Sequence, residues 1–184
     1  MPLGSDYERQ NCSLARSLEV VGERWTLLIL RDLFFGVRRF TDLQRHLDIP
    51  RAVLSARLAA LVDQGLVERR PYGGGRDELL PTRSAIRLWP VLYALIRWGD
   101  EHYGVAGGPL RVFAHADCGT DLDHSGRCPA CDVEPEPADI VTRPGPGRSV
   151  TPRTDPVSVA LREPHRLLTP LGQSRDRITA PRTT

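Results

Sequence analysis

The chain contains no lysine: all of its 25 basic residues are arginine, and with 23 acids the net charge over 184 residues is only +2. It is therefore no polycation, and any affinity for nucleic acid must come from local placement of charge. Arginine's planar fork suits phosphate and guanine, although a lysine-free composition is also the mark of a GC-rich genome. No apolar run is long enough to cross a bilayer, and the opening residues MPLGSDYERQN lack the apolar core of a secretory signal. A cytoplasmic location is expected. There the four cysteines are more apt to bind metal or to react than to form disulfides. The chain has no Ser/His/Asp arrangement, P-loop or dinucleotide fingerprint, so no enzyme is expected, and it has no internal repeat.

What is present is organised around residues 38–82. Thr41 is expected to open a helix, because Thr41-x-x-Gln44 has capping-box spacing, with Leu43 and Leu47 facing inward. Asp48, Ile49 and Pro50 break it, and Pro50 suits the first turn of a second helix. That helix buries Leu54, Leu58 and Leu61 on one stripe and ends at Gly65. Two short strands follow, near 66–72 and 78–81, joined by Gly73-Gly74-Gly75-Arg76-Asp77. Two helices, a tight turn and a glycine-tipped hairpin make a winged helix-turn-helix, whose usual work is to lay its second helix in a DNA major groove. At about 100° per residue, Ala52, Ala56 and Ala59 fall opposite the leucine stripe, with Ser55 and Val53 beside them. Small residues let a helix backbone approach base edges. Ser55 can hydrogen-bond a base or phosphate. Arg51 and Arg57 lie at the sides, where phosphates run. Arg38, Arg39 and Thr41 are further candidates for DNA contact, and Arg76 at the wing tip can reach phosphate or the minor groove. A protein-interaction module using the same hairpin is the alternative.

Around this unit, residues 1–11 read as a flexible arm. Ser13–Val21 reads as a helix with Leu14, Leu18 and Val21 on one side, and 23–35 as a helix with Trp25, Leu28, Ile29 and Leu33 as core. After the wing, 83–103 is a long helical stretch, apolar on more than one face, which Pro90 should kink or divide. The surplus apolar face predicts a homodimer. A linker at 104–109 and a short strand at 110–113 follow. From Val133 onward lie nine of the 16 prolines, and from Arg143 onward eight arginines against three acids, which predicts a disordered basic tail over 134–184.

His115-x-x-Cys118 and Cys128-x-x-Cys131 form two knuckle-like pairs within 110–133. Ligands at i and i+3 on a turn can share one tetrahedral ion, and two such pairs complete a structural zinc site. His124 competes with His115 for the fourth position; His115 is preferred because it repeats the spacing of the cysteine pair. A zinc deaminase would need H-x-E and then P-C-x-x-C. Here the sequence offers His115-Ala116-Asp117 and Arg127-Cys128-Pro129-Ala130-Cys131, so that reading is set aside. Cys12 stands alone before the first helix, whose N-terminus can favour a thiolate.

The run from Cys12 through Trp25 to Leu33, then Phe40-Thr-Asp-Leu, Val53-Leu-Ser-Ala-Arg-Leu, Leu61-x-x-x-Gly65-Leu-Val and Leu80-Pro-Thr82, resembles the HxlR family of bacterial transcription regulators over about residues 12–102. The resemblance implies a homodimeric, DNA-binding winged helix-turn-helix protein. It would most often be a repressor at a pseudo-palindromic operator, paired through its N-terminal helix and the helix at 83–103. It also implies that Cys12 matches a cysteine which some members use to sense quinones, aldehydes or oxidants. Pro50 departs from the family's capping serine, and the short glycine-rich wing departs as well. The cysteine segment and tail lie beyond the family pattern. The expected organisation is an arm at 1–11, a mainly α winged helix-turn-helix domain with a small β-hairpin wing at 12–104, a zinc-binding Cys/His segment at 110–133, and a tail at 134–184.

Overall fold

The computed structural model describes Tyr7 and residues 10–72, 75–147 and 153–171; most of the expected N-terminal arm lies outside the described residues. Helix α1 (Ser13–Val21) leads through a turn into α2 (Thr26–Phe34). Trp25 holds the cap position of the second helix, which begins later than residue 23 because of a preceding turn held by Glu23. Its carboxylate accepts from the Trp25 amide at 2.9 Å, and its carbonyl accepts from the Thr26 amide at 2.9 Å. Helix α2 is the centre of the core: Ile29, Leu30, Leu33 and Phe34 are all buried, whereas Leu28 faces outward. Buried Asp32 accepts from Arg31 at 2.8 Å and lies 2.6 Å from Nδ1 of His46, which pins the next helix.

That helix, α3 (Phe40–Leu47), starts at Phe40 rather than Thr41. The capping box does not form. Arg39 holds the cap position, and its backbone carbonyl takes the Asp42 and Leu43 amides at 3.1 and 3.0 Å. Asp48 closes α3 in the left-handed region at φ 52°. Pro50 then sits just before α4 (Arg51–Asp63), not within its first turn. Helix α4 buries Leu54, Leu58 and Leu61. Its end is a Schellman closure, in which the Leu66 amide reaches Leu61 O and the Gly65 amide reaches Val62 O, both at 2.9 Å, with Gly65 at φ 66°.

Strands β1 (Val67–Pro71) and β2 (Asp77–Pro81) pair antiparallel, with Arg69 opposite Leu79. Gly73 and Gly74 at the tip lie outside the described residues. The Leu79 amide also donates to the Arg38 carbonyl at 2.9 Å, tying the wing to the start of α3. Thr82 caps α5 (Arg83–Ile86), and α6 (Trp89–Tyr103) carries Pro90 in its first turn, so the stretch at 83–103 is divided. One face of α6 buries Trp89, Leu92 and Tyr93, while Val91, Leu95 and Trp98 remain about half exposed.

The rest of the chain departs from expectation. Strands β3 (Arg111–His115), β4 (Ile140–Pro144) and β5 (His165–Arg166) form one antiparallel sheet in that order. A short helix α7 (Pro156–Ala160) packs on α3. Phe113 of β3 meets Trp89, Tyr93 and Phe35 at ring separations of 5.4, 5.6 and 6.5 Å, so the sheet shares the helical core. A disordered tail from residue 134 therefore does not hold for 137–147 and 153–171. Val157, Leu161 and Leu167 are buried, and the Leu168 and Leu171 amides donate to Phe34 O and Gly36 O at 2.7 and 2.9 Å. Composition hid this because the apolar residues come in short clusters whose partners are distant in sequence, in β3 and, more than a hundred residues away, in α2 and α3. The remaining tail residues, 148–152 and 172–184, lie outside the described residues.

Candidate nucleic-acid interface and metal centre

Helix α4 turns its leucines inward, which leaves Ala52, Ser55, Ala56 and Ala59 exposed on the opposite face. Beside that face, α3, α4 and the wing enclose an open cleft of about 480 Å³. Arg39, Arg51, Arg69 and Arg76 line it, together with Thr41 and Ser55. Two of these arginines are held by aromatic faces: Arg39 lies over Tyr72 at 5.8 Å and Arg51 over Phe40 at 5.1 Å. Stacking of this kind orients a guanidinium while leaving its edge free to donate. Arg69 was missed in the sequence. Its signal was its place in the strand, opposite Leu79 across the hairpin, which turns it onto the cleft face.

Arg57 lies on the other flank of α4, half-buried and 3.8 Å from Glu23. Arg38 does not belong to the surface at all. It is 8% exposed and donates to Leu33 O at 3.4 Å and Leu168 O at 2.5 Å. Burial lowers its pKa, partly offset by the charge of Glu78. The expectation that Arg38 meets phosphate is thus corrected: it fastens the C-terminal segment to the end of α2. Cys12 is exposed at the N-cap of α1, with no side-chain capping bond.

The second cluster is built at the end of β3. His115, Cys118, Cys128 and Cys131 bring one ligand atom each to within 4.8 Å of one another, and His124 is outside the group. His115 is the last residue of β3, and the turn that follows it is closed by the Gly119 amide on His115 O at 2.8 Å, with Gly119 at φ 71°. The second knuckle is closed by the Asp132 amide on Cys128 O at 2.9 Å. Cys118 Sγ lies 3.5 Å from His115 Nδ1 and 3.4 Å from Cys128 Sγ. Tetrahedral zinc, with Zn–N near 2.0 Å and Zn–S near 2.3 Å, would set these separations at about 3.5 and about 3.8 Å. The donor set and spacing therefore fit such an ion. Without metal, hydrogen bonds from Thr120 hold the Cys118 thiol down at about 6, while Cys118 pushes Cys131 up to about 11. One thiolate thus forms first and offers a cation its anchor.

The model of the HxlR-like helix-turn-helix family matches residues 20–106. The uncharacterized HTH-type transcriptional regulator Rv3095 of Mycobacterium tuberculosis is 44% identical over 137 residues, covering 73% of this chain and 87% of the relative. Since 73% of 184 residues is about 134, that match must span residues 51–134, and so it includes the Cys/His segment. The uncharacterized HTH-type regulator YkvN of Bacillus subtilis is 32% identical over 95 residues, covering 50% of this chain and 80% of the relative. Among solved structures, PA1607, described as a candidate transcription factor, superimposes with a TM-score of 0.59 at 30% identity, covering 64% of this chain and 84% of its own.

Proposed function

Because this chain belongs to the HxlR-like helix-turn-helix family of transcriptional regulators, we propose that it acts in the cytoplasm as a homodimeric repressor on a pseudo-palindromic operator. The observation that carries this reading is the cleft itself: four arginines from α3, α4 and the wing converge beside the small-residue face of α4. In this reading Ala52, Ser55 and Ala56 approach base edges in the major groove, which the absence of bulky side chains permits. Arg51 and Arg57 flank the helix against the two phosphate backbones. Arg39, Thr41 and Arg69 extend the phosphate contacts, and Arg76 carries the wing toward the minor groove. The half-exposed stripe of Val91, Leu95 and Trp98 on α6, with Leu14 and Leu18 of α1, supports pairing of two protomers.

Zinc held by His115, Cys118, Cys128 and Cys131 serves a structural role, since four protein ligands leave no open position for substrate. Control through the exposed thiol of Cys12 is tested by oxidation with diamide, which should release DNA from the wild type and not from Cys12→Ser. The recognition surface is tested by replacing Ser55 and Arg51 together with alanine. Operator binding should be lost while the circular dichroism spectrum stays unchanged; unaltered affinity would refute the assignment and favour a protein partner for this face.

A further inference from the structure

A second cleft, of about 480 Å³, lies where α2, α3 and α6 meet the C-terminal sheet and α7. We propose that it binds a small organic carboxylate with an apolar or aromatic body. Its walls are Phe35, Phe113 and Leu161, all buried, with Ile96 and Leu110 toward the mouth. A volume of a few hundred Å³ with mostly apolar walls and a few polar groups is the ordinary make-up of a small-molecule site.

The polar group is Arg111. It enters from β3, donates from Nε to Thr142 Oγ1 at 2.9 Å and from Nη1 to Leu161 O at 2.7 Å, and lies over the Phe35 ring at 5.6 Å. Both bonds go to neutral oxygens, and among the described residues no carboxylate pairs with it. Arg31 stands over the same ring at 5.9 Å, but its charge is already met by Asp32 at 2.8 Å. Burial, and then the like charge of Arg31, lower the Arg111 pKa to about 10, so the group stays cationic near neutrality. A partly buried cation beside another cation, with no carboxylate partner, favours an anion nearby. Arg162 adds positive charge at the rim, where Arg153 is paired with Asp155 at 3.1 Å, and the one acid lining the cleft, Asp100, faces Arg97 at 3.4 Å. The apolar walls suit a monoanion with an apolar body better than a phosphate.

Position gives the site a use. His46 of α3 lines it, and Arg153 at the rim donates to Arg45 O of the same helix at 2.9 Å. A ligand seated there touches the helix that carries α4, and so can bias DNA binding. That regulatory use rests on the function proposed above; the binding site itself does not.

The test is calorimetry and saturation-transfer NMR on the full chain without DNA, using 2-naphthoate, phenylacetate and octanoate, with 2-naphthamide and inorganic phosphate as controls. At least one carboxylate should bind, with the amide and phosphate weaker by about tenfold or more. Arg111→Gln should weaken the carboxylate by a similar factor and leave the amide nearly unchanged. Leu110→Trp, placed at the half-exposed mouth, should block binding without altering the fold, and stands as the check if Arg111→Gln does not fold. No binding of any of the three up to about 10 mM, equal binding of naphthoate and naphthamide, or full binding by Leu110→Trp would overturn the proposal. Binding that leaves operator affinity unchanged would remove the regulatory use alone, and absence of DNA binding would count against the proposed function alone.

Discussion

Arg38 and Arg39 are adjacent and chemically identical, yet the structure gives them opposite work, so truncating each should produce opposite results. Arg38 is 8% exposed and holds two carbonyls, Leu33 O and Leu168 O. A hydrogen bond to a charged group contributes about 1.5–3 kcal/mol. Arg38→Ala removes two and strands Leu168 O in a largely dry setting, while Leu33 O keeps the Gly36 amide at 3.1 Å, so a loss of about 3–5 kcal/mol is expected. For a chain of this size each kcal/mol lowers Tm by about 2–4 °C, giving a fall of roughly 6–20 °C. The C-terminal segment should become the first site of proteolysis, since Arg38 is one of its few polar anchors. Arg39 is exposed and stacked on Tyr72. Arg39→Ala should change stability by no more than about 0.5 kcal/mol. If it meets one phosphate per protomer, the slope of log affinity against log salt should become shallower by about 0.9 for each phosphate left unneutralised. Urea unfolding and fluorescence anisotropy on a labelled operator, at several salt concentrations, measure both quantities. A stable Arg38→Ala protein with a shallower salt slope would refute this division of labour.

Four further outcomes concern the Cys/His cluster, a glycine and the α6 stripe. Cys128 is fully buried in the ligand cluster, so Cys128→Ser should reduce bound zinc from one per chain to almost none and lower Tm; atomic absorption and calorimetry read both. Zinc retention should fall as the pH is lowered, because protons compete with the ion for the three thiolates and the imidazole; retention independent of pH would contradict this. Gly36 sits at φ 84°, where a Cβ would run into the Thr169 carbonyl, so Gly36→Ala should cost more than about 1 kcal/mol and loosen the C-terminal segment, as hydrogen exchange at Leu168 and Leu171 would report. Leu95→Glu places a charge in the exposed stripe of α6 and should convert a dimer to a monomer in light scattering without unfolding it.

The helices of the reading unit were legible because their signals are local. The leucine stripe of α4, the glycine after it and the turn between α3 and α4 need no distant partner to be recognised. The gathering of His115, Cys118, Cys128 and Cys131 was legible for the same reason, since each pair spans one turn. What failed to show were contacts across long sequence separations. Leu167 and Val157 look like stray apolar residues among prolines, and only their burial against α2 and α3 gives them meaning. Arg38 looks like its neighbour Arg39, and nothing local says that a carbonyl 130 residues away claims its guanidinium. Thr41 shows a local signal that was overridden: capping-box spacing was present, but α3 begins at Phe40 with Arg39 in the cap position.

The central claim is that the α4 face and the arginine-lined cleft read DNA. Its most direct test is selection of genomic fragments by the purified full chain, repeated with the Arg51→Ala, Ser55→Ala double variant. The account predicts a pseudo-palindromic site enriched by the wild type, bound with a steep salt dependence and not recovered by the variant. Recovery of no site, or of the same site with equal affinity by the variant, would contradict it.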